Sequence, residues 1–399
     1  GPTVHVPGHG KDDNYATQAA IPAGAFVVGG ALLLAGQKTM GVLAIYFGAQ
    51  AGFSLYMKVV LSNAYVSQEL KMKGVPAAFL VTAVQQVVAF IILTIVLGVL
   101  RFTPKEWLGL EEPYRPKQLT TSKEWIAMLV FAVAFACNIG LNNFSLSLLT
   151  VSLNLIIRSC LPLVTLFMQL LTGTAGQLKG VEVVLMFSGV FFAGLATVAS
   201  SHGHKGGAGA SHLVLGVIMC ATSDIAAAGN LVLASIFGTS MKLNPLDTTF
   251  YMAVPAAISL LPAVFLVNHP VDWPGAGPMT DWKVFLKVLE LSPYTLSLIG
   301  LSGLFAVGYN VLQYSVVQSL SASHAAFAGN FNKAATIMLS ICLGLESLPS
   351  GAWSGLMMFA ILGNIASFTS FSMLKGSDKK HGDAKHMPAP PQGETNAKA

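Results

Sequence analysis

The chain has 399 residues, of which 54% are hydrophobic and only 10% are charged, and its formal net charge is +5. Soluble domains carry about 25% charged residues, so this composition excludes an ordinary soluble protein and predicts a polytopic membrane protein. The basic residues lie mostly in loops and in the tail, which indicates lipid as the surroundings and excludes a nucleic-acid-binding surface.

The first 39 residues are predicted to be a polar N-terminal segment with a short apolar stretch at 21–36. That stretch is compatible with a remnant of a targeting segment, an interfacial helix or an extension of the first span, and the sequence leaves these three open. Because the chain begins at Gly1 and not at Met, a missing leader is also compatible with it.

Apolar runs of about 20 or more residues predict ten membrane-spanning helices. They lie near residues 40–66, 75–100, 124–147, 149–173, 180–200, 211–236, 247–268, 293–317, 323–345 and 351–374. The third and fourth runs are joined almost without a loop, and so are the eighth and ninth. Each fourth helix of a set of five therefore follows a very tight turn.

A Gly-rich linker at 200–211 divides the ten runs into halves at 40–200 and 201–374. Because each half holds an odd number of spans, the second half enters the membrane inverted. The predicted fold is therefore an all-α membrane protein of about ten transmembrane helices in two inverted five-helix repeats. The Lys and Arg counts of the loops predict that both termini are cytosolic, and residues 375–399 are predicted to be a disordered cytosolic tail.

No cofactor and no metal site are expected. The histidines of the linker region (His202, His204, His212) lie in or beside a Gly-rich loop that fixes no ligand geometry. The four cysteines all lie inside apolar runs without CxxC spacing, which is typical of buried thiols that act as small apolar groups.

Charged residues deep in the spans are the main functional signal. Arg158 lies near the middle of the apolar run 151–171, where a guanidinium costs at least about 2.5–3.5 kcal/mol on insertion scales. Lys333 lies at a similar depth in the ninth span and Lys58 lies nearer the end of the first. Asp224 in the sixth span is the comparably deep acid.

Arg158 and Lys333 are both fourth-helix residues of their halves, and an asparagine precedes each by about one turn (Asn154 and Asn330). Pseudo-symmetry would bring the two cations together across a central cavity at the midplane, where repeat-built transporters bind substrate. The alternative is an Arg158–Asp224 pair that serves assembly only. Three cations and one acid leave about two positive charges uncompensated, which favours a dianionic ligand such as a phosphate ester.

The sequence around these residues resembles that of the drug/metabolite transporter superfamily. The resemblance is specifically to its sugar-phosphate/nucleotide-sugar translocator group, with a triose-phosphate translocator-like domain. The fourth helix carries the group's Val151, Ser152, Arg158 and Pro162, and residues 329–333 (GNFNK) resemble the Gly-Ala-Leu-Asn-Lys motif of GDP-mannose transporters. Triose-phosphate translocators carry Lys-Arg where this chain has Lys333-Ala334. GDP-mannose transporters carry Phe-Tyr-Asn-Asn where it has Phe-Tyr-Met-Ala at 250–253.

The resemblance implies an antiporter of organic phosphate anions, most simply nucleotide sugars exchanged for nucleoside monophosphates, with a plastid-type sugar-phosphate/phosphate translocator as the alternative. The expected substrate-binding residues are Arg158, Lys333, Lys58, Tyr251, Asn332, Asn154 and Asp224. The expected partners are a small phosphorylated substrate and membrane lipid, and a homodimer is compatible with the sequence.

The expected location is the Golgi or ER membrane, with the plastid envelope as the alternative. A non-transporting membrane helper subunit or a membrane enzyme is the alternative of another class. An enzyme is disfavoured because the sequence offers no nucleophile–base pair and no metal-ligand spacing.

Overall fold

The computed structural model of the protein describes residues 15–58, 60–61, 64–108, 112, 114–148, 154, 157–175, 179–201, 210–269, 271, 273–342 and 351–385. Helices form most of this part of the chain. They are α1 (Tyr15–Leu34), α2 (Lys38–Lys58), α3 (Ala78–Phe102), α4 (Lys105–Leu108), α5 (Ser122–Leu148), α6 (Leu161–Leu171), α7 (Gly180–Ser201), α8 (Ala210–Thr239), α9 (Pro245–Leu266), α10 (Asp281–Leu291), α11 (Pro293–Ser319), α12 (Ala322–Cys342) and α13 (Ala352–Lys385). Two antiparallel hairpins accompany them, β1 (Tyr65–Ser67) with β2 (Met72–Lys73) and β3 (Asn268–His269) with β4 (Met279–Thr280).

Six of the described helices are apolar and long enough to cross a membrane. They are α3, α5, α8, α9, α11 and α13, with apolar parts of 20–27 residues, and about 20 residues suffice for a hydrocarbon layer of about 30 Å. The predicted all-α, multi-pass integral membrane protein is thereby confirmed. The arrangement in ten helices and two inverted repeats stays a prediction.

The helices depart from the predicted spans at three places. Helix α2 ends at Lys58, and the predicted continuation of the first span to residue 66 runs into the first hairpin. In the fourth span the described residues 154, 157 and 158 are helical, and α6 begins at Leu161 after a turn at Ser159 and Cys160, with proline in its first turn. Helix α13 continues to Lys385, into the segment for which composition predicts disorder. The added residues hold lysines and an alanine, which favour a helix, together with two glycines, which do not. Residues 386–399 lie outside the described part.

The two hairpins and the short helix α10 were not predicted, because they contain no long apolar run. Helix α10 has only 11 residues, and the side chain of Thr280 caps it by accepting a hydrogen bond from the N–H of Lys283 (3.4 Å). A side chain also caps the start of α9: Asn244 Oδ1 accepts a hydrogen bond from the N–H of Asp247 (2.8 Å), and proline occupies the first turn. Such caps satisfy N–H groups that a helix leaves without internal partners.

Helices α1 and α2 form a hairpin whose backbones approach closely at glycines. A Cβ built on Gly29 would lie 2.9 Å from the carbonyl oxygen of Gly41, and one on Gly48 would lie 3.0 Å from the carbonyl oxygen of Pro22. Small residues at such seams are what bring membrane helices together, because apolar side chains gain little by leaving lipid. The apolar stretch at 21–36 is thus largely a helix packed on the predicted first span.

The core of the bundle lies where helices of the two predicted halves meet. Helix α5 packs along α8, α3 packs along α9, and α7 packs along α13. Phe131 of α5 contacts Phe237 of α8 and Tyr314 of α11, and all three rings are fully buried. This core holds α5, α8 and α11 in fixed positions around the cavity described below.

One end of the bundle, here called the hairpin end, is closed by the two hairpins and α10. Trp273 Nε1 donates to the carbonyl oxygens of Lys73 (3.1 Å) and Gly74 (3.3 Å), which ties the second hairpin to the first. Asp281 is fully buried: its Oδ2 accepts from the N–H of Leu80 (2.8 Å), and its Oδ1 lies 2.6 Å from His269 Nε2. The start of α3 is therefore fixed to the start of α10.

The opposite end is tied by the segment before α5. Tyr114 donates to Asp247 Oδ1 (3.2 Å) and accepts from Asn244 (3.0 Å), while Lys117 donates to the carbonyl oxygen of Met241. Tyr251 donates to the carbonyl oxygen of Lys117 (2.7 Å). Burial raises the pKa of the Tyr114 hydroxyl to about 12. These contacts hold the segment against α8 and α9.

Candidate functional site

A central cavity of about 270 Å³ lies between α2, α3, α5, α6, α8, α11 and α12. Its walls are polar for a cavity inside a membrane bundle. Eight carboxamide side chains line it: glutamines 50, 85, 86 and 313, and asparagines 138, 230, 310 and 330. Of the lining residues that the structure describes, Arg158 is the one cation and none is acidic. Such a cavity suits a ligand that carries negative charge and several hydrogen-bonding groups.

Arg158 is held at the wall of this cavity by neutral groups. Its Nη1 donates to Ser223 Oγ (2.9 Å) and its Nη2 donates to Asn138 Oδ1 (3.2 Å). Ser223 is itself fixed, because its hydroxyl donates to the carbonyl oxygen of Asn138 (2.8 Å). The guanidinium therefore has a set orientation between α5 and α8, just before the start of α6.

Asp224 lies beside Arg158 on the protein side. The distance from its Oδ1 to Arg158 Nε is 3.9 Å, which is long for an ion pair, and the aspartate side chain is 3% exposed while that of Arg158 is 18% exposed. Arginine has five N–H donors in a planar fork, so donors remain after the two hydrogen bonds described. The pair partly balances the buried charge and leaves the guanidinium accessible from the cavity.

Aromatic rings form another part of the cavity wall. Tyr46 and Phe53 of α2 both stack on Tyr309 of α11, with ring centroids 5.8 Å and 5.6 Å apart. All three side chains line the cavity. A flat aromatic face beside a polar pocket can receive the apolar face of a sugar or a base.

Two predicted site residues, Asn154 and Asn332, form hydrogen bonds within the protein. Asn154 lies in a hydrogen-bond network, with its Nδ2 donating to Asn142 Oδ1 (3.2 Å) and Ser145 Oγ (3.1 Å). Asn332 Nδ2 donates to Oε1 of the cavity residue Gln50 (2.5 Å). Neither asparagine is among the described lining residues of the cavity.

Tyr251 packs edge-on against Trp125 and, as described, bonds to Lys117, and it too is not among the described lining residues of the cavity. Lys58 ends α2 and Lys333 lies within α12. The side chains of both lysines lie outside the described residues. The face of α12 that carries Gly329 and Asn330 lines the cavity, and position 333 follows them at helical spacing of i+4 and i+3.

Sequence reasoning missed Tyr46, Gln85 and Gln86 as site residues. The available signal was the adjacent glutamine pair in α3, which has the highest mean hydropathy of the six spans, 2.5. Two polar side chains in such a run are costly to bury unless a partner or a cavity receives them.

A metal site finds no support among the described residues, since none of them form a group of three or more His, Cys, Asp or Glu side chains. His202 and His204 lie outside the described part, and so does the side chain of His212.

Comparison with known proteins assigns a class to the second half of the chain. Residues 214–369 match the sequence profile of the EamA-like transporter family, which belongs to the drug/metabolite transporter superfamily. The match confirms the predicted superfamily for this part of the chain and indicates a membrane transporter. The narrower sugar-phosphate/nucleotide-sugar group stays a prediction.

One solved structure, described as "Crystal structure of protein", is similar over 87% of this chain and 97% of its own length, at 15% identity and a TM-score of 0.49. No curated protein matches the chain.

Proposed function

We propose that the protein is a secondary transporter that moves organic phosphate anions by alternating access, with Arg158 binding the anionic group in the central cavity. The observation that carries this proposal is an oriented guanidinium that opens into a cavity lined by neutral hydrogen-bonding side chains. Arginine suits a phosphate because its planar fork matches two oxygens at once. The transporter family match of residues 214–369 supports the class of activity.

A second cation at the same site is part of the proposal. Position 333 follows the lining residues Gly329 and Asn330 at helical spacing, and we propose on this ground that Lys333 adds a point charge to the fork of Arg158. Lys58 would assist from the wall formed by α2. Asp224 would hold Arg158 when the site is empty. Asn154, Asn332 and Tyr251 would position the walls, as their contacts within the protein suggest.

The contacts between helices support the proposed inverted repeats. Counted from α2 without the short α4 and α10, the second helix of one half (α3) packs on the second of the other (α9). The fourth (α6) packs on the fourth (α12), and the fifth (α7) packs on the fifth (α13). A two-fold axis that relates the halves would bring these pairs together. Arg158 and Lys333 would then meet near that axis.

Exchange is the proposed mode of transport. An empty site that contains buried positive charge reorients slowly, because moving uncompensated charge through a closed gate is costly. A bound phosphate removes that charge and allows passage in either direction. Nucleotide sugars exchanged for nucleoside monophosphates are the first cargo proposed. The membrane proposed is that of the Golgi or ER, with cytosolic termini and a homodimer as further parts of the proposal.

A sugar-phosphate/phosphate translocator is the second candidate, and the size of the cavity favours it. Ligand pockets for small molecules commonly measure about 300–1,000 Å³, and this cavity of about 270 Å³ lies just below that range. A sugar phosphate fits such a volume more easily than a nucleotide sugar does. Uptake of each class by the same purified protein distinguishes the two candidates.

The decisive experiment separates transport from folding at Arg158. Arg158→Gln removes the charge and should lower uptake of the phosphorylated substrate into proteoliposomes about ten- to a hundredfold, since a hydrogen bond to a charged group contributes about 1.5–3 kcal/mol. The same variant leaves Asp224 buried without its cation, which is itself destabilising. The double variant Arg158→Gln/Asp224→Asn removes that problem. We expect it to recover thermal stability and still fail to transport.

A double variant that transports at the wild-type rate would contradict the proposal and favour a helper subunit or an assembly role for the pair. An Asp224→Asn variant alone serves as the matched control, because it keeps the guanidinium and its bonds to Ser223 and Asn138.

A further inference from the structure

Gln86 of α3 has a buried oxygen that the protein does not satisfy. The side chain is 1% exposed, and its Oε1 has no hydrogen-bond partner among the residues that the structure describes. Gln86 also lines the central cavity. A buried carbonyl oxygen without a donor is unfavourable, and such groups in native proteins call for an explanation. A hydrogen-bond donor on a ligand bound in the cavity would satisfy this oxygen.

Other carboxamides of the cavity are engaged by the protein itself. Asn138 Oδ1 accepts from Arg158, Asn230 Nδ2 donates to the carbonyl oxygen of Phe131 (3.3 Å), and Asn330 Nδ2 donates to the carbonyl oxygen of Ser159 (2.7 Å). These three side chains help to hold helices together. Gln86 differs from these three because its oxygen is both buried and without a donor among the described residues.

The position of Gln86 is set by its neighbours on α3. Gln85 Nε2 donates to Ser302 Oγ of α11 (3.0 Å), and Gly303 of α11 lets Val88 approach so closely that a Cβ on the glycine would lie 2.6 Å from it. Helix α3 is thus fixed against α11 on one face. Gln86 follows Gln85 by one residue, or about 100° of helical rotation. It lines the cavity from α3, whereas Arg158 lines the cavity from the segment just before α6.

We propose that Gln86 is a second recognition point of the cavity and accepts a hydrogen bond from a hydroxyl or N–H group of the substrate. This inference rests on the proposed function, in which Arg158 binds the phosphate. It narrows the substrate class to phosphate esters whose organic part carries hydrogen-bond donors, such as polyol or sugar phosphates. Apolar phosphate esters of the same size leave Gln86 unsatisfied and are selected against.

The test compares two ligands that differ only in their hydroxyls. Glycerol 3-phosphate and propyl phosphate share a three-carbon skeleton and a phosphate, and only the first has hydroxyl groups. Their dissociation constants are measured by calorimetry on the purified full chain in detergent. We expect glycerol 3-phosphate to bind wild-type protein at least tenfold more tightly than propyl phosphate.

Substitution of Gln86 then tests whether this side chain causes the tighter binding of glycerol 3-phosphate. Gln86→Met has a similar length and no acceptor of comparable strength, and should reduce the ratio of the two dissociation constants to within about twofold while propyl phosphate binding stays as in wild type. Gln318→Met is the matched control, since Gln318 bonds to Thr248 outside the cavity lining (3.3 Å); it should keep the tenfold ratio. Gln86→Asn, which retains a shorter carboxamide, should give an intermediate ratio.

Each outcome bears on a different proposal. Equal binding of the two ligands by wild-type protein overturns the inference, and so does a tenfold ratio that persists in Gln86→Met; both leave Arg158 as the phosphate site. Failure of both ligands to bind wild-type protein overturns the inference and the second candidate function with it, since a site for small phosphate esters should bind at least one of them; Arg158→Gln in the uptake assay then tests the first candidate by itself. If Gln86→Met does not fold, the wild-type ratio and the Gln86→Asn variant still decide the matter.

Discussion

Removal of the Asp281 carboxylate should destabilise the hairpin end of the protein. Asp281→Ala deletes two contacts of a fully buried group, the 2.8 Å hydrogen bond from the N–H of Leu80 and the 2.6 Å contact with His269 Nε2. The N–H of Leu80 belongs to the first turn of α3, where the helix supplies no partner. Loss of the carboxylate therefore leaves one buried donor unsatisfied and removes the contact with His269.

The expected cost is about 3–5 kcal/mol, because the unsatisfied N–H of Leu80 costs about 1–3 kcal/mol and the lost hydrogen bond between the carboxylate and His269 contributes about 1.5–3 kcal/mol. At about 2 °C per kcal/mol, the value for larger domains, the apparent melting temperature should fall by about 6–10 °C. Asp281→Asn keeps an acceptor for Leu80 and loses only the charge, so it should cost about 1–2 kcal/mol, near the net value of one hydrogen bond.

Thermal unfolding of the purified protein in detergent, followed by tryptophan fluorescence at one fixed scan rate, measures both variants. Glu69→Ala is the control, because Glu69 is an exposed acid in the turn of the first hairpin and surface substitutions usually change stability by less than about 0.5 kcal/mol. If Asp281→Ala melts within about 1 °C of wild type, or if Asp281→Asn is the more damaging of the two, the assigned contacts do not hold α3 to α10.

Three further predictions concern packing, pH and exchange. Gly189→Ala should cost about 1–3 kcal/mol, because its Cβ would lie 2.2 Å from the Phe327 ring, whereas Gly98→Ala, with nothing within 4 Å of its Cβ, should not destabilise; thermal unfolding of the pair checks this. Burial raises the pKa of Tyr114 from 10.0 to about 12, so the folded state disfavours the phenolate. The corresponding stability is present below pH 10 and is lost as the pH rises towards 12, and Tyr114→Phe should flatten that part of the stability profile. Uptake of labelled substrate should be several-fold faster into vesicles preloaded with unlabelled phosphate ester than into empty ones, and equal rates would rule out exchange.

The sequence predicted the six spans that the structure confirms, because length and hydropathy are the main signals of a membrane helix. Helices α7 and α11 begin at the predicted residues, 180 and 293. The hairpins and α10 could not be predicted from length and hydropathy. Their positions depend on contacts between segments about 200 residues apart, such as Trp273 with Lys73, and no local pattern encodes those contacts.

The candidate site was predictable where a charge is involved. A guanidinium in an apolar run demands compensation, so Arg158 and Asp224 stand out in the sequence, and the structure brings them within 3.9 Å of each other. Neutral amides carry a smaller burial cost, so Gln85 and Gln86 gave a weaker signal. Which amide retains an unused acceptor is decided by tertiary packing, and only the structure shows it.

The glycine seam between α1 and α2 makes α1 a separable addition to the helical bundle. The described residues that line the cavity begin at Tyr46 of α2, so none of the described side chains of α1 forms part of its wall. Close packing at Gly29 and Gly48, where an added Cβ would lie about 3 Å from a carbonyl oxygen of the other helix, holds α1 on α2, and surrounding lipid can take the place of α1 at little cost. A bulky side chain at either glycine would then release α1 into the bilayer while the chamber kept its form.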